Sequence, residues 1–268
     1  MCEPIPYSLK SWSKWAESVQ RHDEIPANRL AELIGDLISL RSWIKSHPET
    51  SPSQKISKLL HMDRKFMAWT DDLPKYWHFI TKLLRQDSDG DAADTGFDQQ
   101  YDTYADFYAA SMWLSYRSAR VQLHLALMPL IMADNNLSLS SKRLALAHSR
   151  YVLKTMTKGI CYSYFFIMGN NCANVGPNTA NAKRDERGFG PAPGGYMLIW
   201  PLYLVGMLDT TTKDQRYWIA ERLKRIGICS GASLAITRAK ALLIAAEVEF
   251  RESEHWPYIN ENADPATV

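Results

Sequence analysis

The residues best suited to chemistry lie on one stretch of the chain that begins after Tyr104. Trp113, Tyr116 and Arg120 follow one another there at intervals of three and four residues, so a helix places them on one face. Arg117 lies at the edge of the same face. A guanidinium offers N–H donors in a fixed fork that suits an anionic or carbonyl group. This spacing predicts a ligand site with aromatic walls and an anchor at Arg117 or Arg120.

A structural explanation fits the same residues. The two arginines could instead pair with helix C-termini or with Asp102 and Asp106, while the rings are core residues, since structural ion pairs are common. His124 lies nearby among leucines and could act as a general acid or base, because an unperturbed imidazole titrates near neutrality. A single histidine on an apolar face can equally be a hydrogen-bonded core residue. His124 and Arg120 are therefore the candidate catalytic residues, with both explanations open.

A second aromatic face lies in the uncharged segment GGYMLIWPLYLVGM, residues 194–207. It is too short to span a bilayer, which takes about 20 apolar residues. Tyr196, Trp200 and Tyr203 are four and three residues apart and share one helical face. Because a helix that is apolar on all sides is normally buried, the segment predicts a central core helix with its aromatic face lining a pocket. We expect one mostly apolar cavity, walled by Trp113, Tyr116, Trp200 and Tyr203.

Motifs for metal-dependent and nucleotide-dependent chemistry are absent from the sequence. The four cysteines are scattered, no two histidines lie three or four residues apart, and no His-Glu-x-x-His motif occurs. Acidic runs such as DSDGDAAD resemble the aspartate-rich sites of terpene cyclases, but a solvated loop explains them more simply. Neither a Gly-x-Ser-x-Gly elbow nor a glycine-rich phosphate loop is present. We therefore predict neither a metal nor a cofactor.

Composition narrows the class of protein. Hydrophobic residues make up 46% and charged residues 22% of the 268 positions, as in ordinary globular proteins. A net charge of +2 is too small to indicate nucleic-acid binding, so no direct DNA binding is expected. The cysteines form no disulfide framework and the N-terminus lacks a secretory pattern. We therefore expect an intracellular protein, in the nucleus or cytoplasm, without a membrane span.

Capping signals predict where two helices begin. Ser51-Pro52-Ser53-Gln54 combines a capping residue with a proline in the first turn, and it predicts a helix over about 52–69. Thr212 and Gln215 predict a second capped helix, which Gly227 would end.

Helical spacing dominates the rest of the chain. Apolar residues recur every three or four positions over 30–44 and again over about 232–251, while no segment alternates as a strand would. The prediction is an all-α fold. We expect one irregular multi-helix domain over 1–268, with flexible loops near 86–100 and 169–195 and a frayed tail over 260–268.

Three segments between about residues 59 and 239 carry a resemblance to a known family: LLHMDRKFMAWTDDLPKYW, YADFYAASMWLSYRSARVQLHLAL and GGYMLIWPLYLVGMLDTTTKDQRYWIAERLKRIG. The positions concerned are Asp63, Trp69, Leu73, Pro74 and Trp77, then Ala110, Trp113, Tyr116, Arg117 and Arg120, then Trp200, Pro201, Leu202, Trp218, Leu223, Ile226 and Gly227. In these segments the chain resembles the regulatory domain of fungal zinc-cluster transcription factors. The family's six-cysteine zinc cluster has no counterpart here, and SYFFIMG stands where such domains often have SIPYCLG.

Two functions remain open. The resemblance implies a stand-alone regulatory-type domain of a fungal secondary-metabolism protein, which binds a small lipophilic effector or a protein partner without binding DNA itself. The alternative is an enzyme built on the same helical domain, such as a cofactor-independent cyclase, pericyclase or isomerase acting on a lipophilic fungal metabolite. Such chemistry can depend on shape, a few hydrogen-bond donors and exclusion of water.

Overall fold

Long helices joined by turns and one small sheet make up the fold. The computed structural model describes residues 25–83, 97–169 and 192–254, and about 81% of these residues are helical. The all-α prediction is confirmed. The helices are α1 (Ile25–Ser46), α2 (Pro52–Asp71), α3 (Phe107–Ala133), α4 (Leu139–Tyr162), α5 (Tyr164–Met168), α6 (Ala192–Gly206), α7 (Lys213–Ser230) and α8 (Ser233–Glu254). Single 3-10 turns occupy Lys75–Trp77 and Phe97–Gln99.

Side-chain caps set several of these N-termini, as the sequence predicted for two of them. Ser51 Oγ accepts a hydrogen bond from the Gln54 amide at 3.4 Å, and α2 begins directly after it. At α7 the Thr212 and Gln215 side chains each accept from the other's backbone amide, which completes a capping box. Asp106 caps α3 in the same way through the Ala109 amide at 2.7 Å.

The C-terminus of α7 differs from the prediction. Gly227 does not end the helix, which continues to Ser230 and stops at Gly231 in the left-handed region, with φ of 65°. Gly227 lies instead where α8 crosses, and a Cβ there would overlap the Ile236 side chain. The glycine permits close packing of the two helices rather than a turn.

Both ranges that the sequence predicted as loops include residues that belong to regular secondary structure. β1 (Ile80–Leu83) pairs antiparallel with β2 (Gln100–Thr103), with Ile80 opposite Thr103, so the range predicted as a loop over 86–100 ends in a 3-10 turn and the first residue of a strand. Likewise, α6 begins at Ala192, inside the range 169–195. The first turn of α6 packs tightly because a Cβ at Gly194 would overlap the Ile167 carbonyl. Residues 84–96, 170–191 and the predicted tail lie outside the described residues.

Helix α3 is the centre of the packing, and α1, α2, α4 and α6 all contact it. Its 27 residues span about 40 Å. Its buried apolar side chains include Leu114, Val121, Leu123 and Leu127. The same helix carries every arginine and histidine that the sequence proposed as a site residue. What these side chains face is therefore decided by the elements that pack on α3.

Candidate functional site

Arg120 lies in a closed polar cluster between α2, α3 and α4, called here the Asp63 cluster and made of Asp63, Tyr116, Arg120, His124 and Ser149. The Arg120 guanidinium holds the Asp63 carboxylate through Nε at 2.8 Å and Nη2 at 3.0 Å. It also donates to the Tyr116 hydroxyl at 3.3 Å. Burial alone would raise the pKa of the Asp63 carboxyl, but contacts with His124 and Arg120 outweigh it and lower that pKa from 3.8 to about 2. The pair is therefore ionised at neutral pH.

The same cluster brings together the residue types of a hydrolytic triad. His124 Nδ1 lies 3.2 Å from Ser149 Oγ, and His124 Nε2 lies 3.5 Å from Asp63 Oδ1. Both His124 and Ser149 are completely buried, at 0% exposure, so a substrate cannot approach the serine oxygen or the imidazole. The geometry favours the structural explanation for Arg120 and His124, which join three helices.

Arg117 lies in a second closed cluster, the Asp102 cluster, which consists of Asp102, Tyr104, Arg117 and Ser163. Arg117 Nη2 lies 2.8 Å from Asp102 Oδ2. Its Nη1 donates to the Tyr104 hydroxyl at 2.6 Å, the Gly159 carbonyl at 2.7 Å and Ser163 Oγ at 2.8 Å. Asp102 is one of the two carboxylates that the structural explanation named. With these bonds in place, both terminal nitrogens of the Arg117 guanidinium are held by partners inside the protein.

The aromatic side chains of α3 pack against α2 and the segment that follows it. Tyr116 stacks on Trp69 with ring centres 5.3 Å apart. Trp113 makes an edge contact with Phe79 at 4.8 Å and donates its indole N–H to the Trp77 carbonyl at 2.7 Å. These contacts fill the space beside Trp113 and Tyr116 with protein side chains.

Helix α6 is buried on one side, whereas the sequence predicted a central core helix with its aromatic face lining a pocket. Leu198, Leu202 and Val205 are fully buried, whereas Tyr196 is 65% and Trp200 is 53% exposed. The reason is that neighbouring helices cover one side of α6. The helices that contact α6 are α3, α4, α5, α7 and α8, and they lie on one side of it in the described part of the chain.

An open apolar groove of about 350 Å³ lies between the last third of α3 and α6. Trp200 and Tyr203 contribute to it, as predicted for a pocket wall, but Trp113 and Tyr116 do not. Of the four predicted residues, Trp200 and Tyr203 therefore lie at this groove, whereas Trp113 and Tyr116 pack against α2 and the segment after it. The groove is lined by Leu125, Met128, Pro129, Trp200, Tyr203, Leu204, Met207, Leu208 and Asp209.

Several of these residues were not predicted from the sequence. Asp63 lies among Leu59, Met62 and Phe66 on the buried face of α2, and a carboxylate at such a position signals a buried partner. On α3, Leu125 and Met128 precede a proline inside a helix, at position 129. Because proline has no N–H, the Leu125 carbonyl lacks its usual helical donor. The proline was a readable signal for an irregularity in this part of α3.

Two further observations concern the described residues alone. Among them, no group of three or more His, Cys, Asp or Glu side chains is arranged to hold a metal ion, and no helix has the length and hydropathy of a membrane-crossing segment. Comparison of the chain with family models, curated proteins and solved structures finds no match.

Proposed function

We propose that the chain is an intracellular, non-catalytic binding domain of regulatory type that binds a small lipophilic molecule in the apolar groove between α3 and α6. The groove is the observation that carries this proposal. Its volume of about 350 Å³ falls within the range of small-molecule sites, roughly 300–1,000 Å³. Its walls are aliphatic, aromatic and methionine side chains, which adapt to apolar ligands.

The groove lining favours a neutral ligand over an anion. The charged residue among those that line it is Asp209, whose carboxylate is a hydrogen-bond acceptor. The predicted anchors for an anionic or carbonyl ligand, Arg117 and Arg120, already bind internal carboxylates. A ligand with an apolar body and a hydrogen-bond donor fits these walls best.

The resemblance to the regulatory domain of fungal transcription factors supports regulation as the role of this binding. The catalytic candidates His124 and Arg120 belong to the closed Asp63 cluster and do not line the groove. A small effector that occupies the groove would act by changing the exposed surface of α6, where Trp200 and Tyr203 lie.

Titration with Nile red, a neutral lipophilic dye, tests the proposal. We expect saturable fluorescence enhancement with the full chain at submicromolar protein concentration. Trp200→Ala removes a wall of the groove and should weaken binding by about tenfold, the equivalent of losing most of one aromatic contact.

The matched control is Tyr151→Ala. Tyr151 is also exposed and aromatic, at 69% exposure, but it lies on α4 and does not line the groove. Its removal should leave dye binding unchanged. Equal binding by wild type and Trp200→Ala, or an equal loss in both variants, would contradict the placement of the site.

A further inference from the structure

The two helices that form the groove carry further exposed apolar side chains, and together with the exposed residues of the groove they are called here the α3–α6 face. On α6 and directly after it, Tyr196, Trp200 and Met207 fall four and seven residues apart, and Met197 lies next to Tyr196. On α3 the two members fall seven residues apart, so each helix presents its members on one side. Their exposed fractions range from 38% to 65%. The α3–α6 face consists of Leu125, Met132, Tyr196, Met197, Trp200 and Met207.

This face is large for a protein that exposes it to water. Together the six residues expose roughly 600 Å², a total comparable with the largest apolar patches that monomers expose. A standard protein interface buries about 800 Å² on each partner. The face therefore supplies most of the area that a stable dimer needs.

The composition of the face matches the centre of an interface rather than ordinary surface. Helix α6 has no charged residue, and the α3 segment from Val121 to Ala133 contains only His124 among titratable residues, which is fully buried. Interface centres are depleted of charge and enriched in aromatic residues and methionine. At the rim, Asp209 lines one end of the groove, and the Arg238 guanidinium lies 4.4 Å from the Tyr203 ring centre. When two identical faces meet, the negative Asp209 of one copy can lie opposite the positive Arg238 of the other.

We infer that the α3–α6 face is the interface of a two-fold homodimer. The face has both parts that such an interface requires, a ridge and a recess side by side on one surface. Trp200 forms part of the groove wall and is 53% exposed. In the proposed dimer a two-fold rotation brings the Trp200 of each copy against the groove of the other. A small molecule in the groove would compete with the second copy. This competition rests on the proposed function, whereas the dimer itself does not depend on it.

Sedimentation velocity of the full 268-residue chain tests the interface. Over a series from low to hundreds of micromolar, the wild type should shift from the 30.6 kDa chain mass to twice that mass. Trp200→Glu places a charge at the centre of the interface and should weaken dimerisation by about thirtyfold or more, as expected for a central aromatic residue. Met207→Glu, a second exposed position on the same stripe, should weaken it as well.

Tyr151→Glu is the matched control, since it adds the same charge at an exposed aromatic position on α4 and should leave the dimer intact. Far-ultraviolet circular dichroism of each variant shows that the helices are retained. A wild type that remains monomeric at every concentration overturns the inference. The face would then be covered by other residues of the chain or by a different partner. A dimer that withstands both Trp200→Glu and Met207→Glu overturns it too. Neither result affects Nile red binding by the monomer, which tests the proposed function separately.

Discussion

Replacing Arg120 by alanine should destabilise the fold far more than an exposed ion pair would suggest. In the native protein the side chains of Arg120 and Asp63 are only 9% and 5% exposed. The substitution leaves the Asp63 carboxylate ionised and buried, with its two guanidinium bonds gone. Removing one partner of a buried pair typically costs about 3–5 kcal/mol in the free energy of unfolding. For a domain of this size that corresponds to a fall in melting temperature of roughly 10 °C.

The chain contains a matched control for this experiment. Arg29 and Asp72 form an arginine–aspartate pair of 3.2 Å, but their side chains are 54% and 59% exposed. Exposed pairs contribute about 0–1 kcal/mol because water and salt screen them. Arg29→Ala should therefore change the melting temperature by no more than about 2 °C. Both variants can be compared with the wild type by calorimetry at pH 7 and by urea titration.

A second substitution distinguishes two sources of the lost stability, the buried Asp63 carboxylate without its arginine and the packing lost with the Arg120 side chain. If the cost arises mainly from the unpaired carboxylate, adding Asp63→Asn to Arg120→Ala should recover a substantial part of the stability. The reasoning is refuted if Arg120→Ala is no more destabilising than Arg29→Ala, or if the double variant is no more stable than Arg120→Ala alone.

Three further predictions concern the same interior. The folded pKa of Asp63, about 2, lies below its ordinary value of 3.8, so its stabilisation is present above pH 3.8 and lost as pH falls from there towards 2. Urea unfolding should show an acid loss about 2 kcal/mol larger in the wild type than in Asp63→Asn, and equal losses would contradict this. Gly159→Ala should cost about 1–3 kcal/mol, because the added Cβ overlaps the Arg117 guanidinium; an unchanged melting temperature would show that the guanidinium can move aside. Burial raises the pKa of the Cys161 thiol, so iodoacetamide at pH 8 should modify half-buried Cys229 well before Cys161, as read by peptide mass spectrometry, and early modification of Cys161 would argue against its burial.

The helix starts could be predicted because their signals are local. Ser51 and Thr212 bond to amides only three residues away, so a few residues of sequence contain the whole interaction. The end of α7 could not be read in the same way. Gly227 and Gly231 are both glycines near the end of the apolar pattern. The approach of Ile236 to Gly227 and the positive φ of Gly231 distinguish their roles, and both depend on the folded structure.

The partners of the arginines depend on tertiary packing. Helical spacing correctly placed Arg120 with Trp113 and Tyr116 on one face of α3, but spacing does not say which element covers that face. Its partner Asp63 lies 57 residues away, on a different helix. The exposed side of α6 could not be predicted for the same reason. A uniformly apolar sequence does not show which of its sides other helices cover.

The two arginine pairs have a mechanical consequence for the molecule. Arg117 and Arg120 are about 60° apart around α3 and about 4.5 Å apart along its axis, and they are paired with Asp102 on β2 and Asp63 on α2. Neither rotation nor sliding of α3 is possible without separating one of these buried pairs. Helix α3 is therefore fixed by two buried ion pairs, whereas the middle of α6 is held by apolar packing and by the contact of Arg238 with the Tyr203 ring. We expect an occupant of the groove to displace α6 rather than α3.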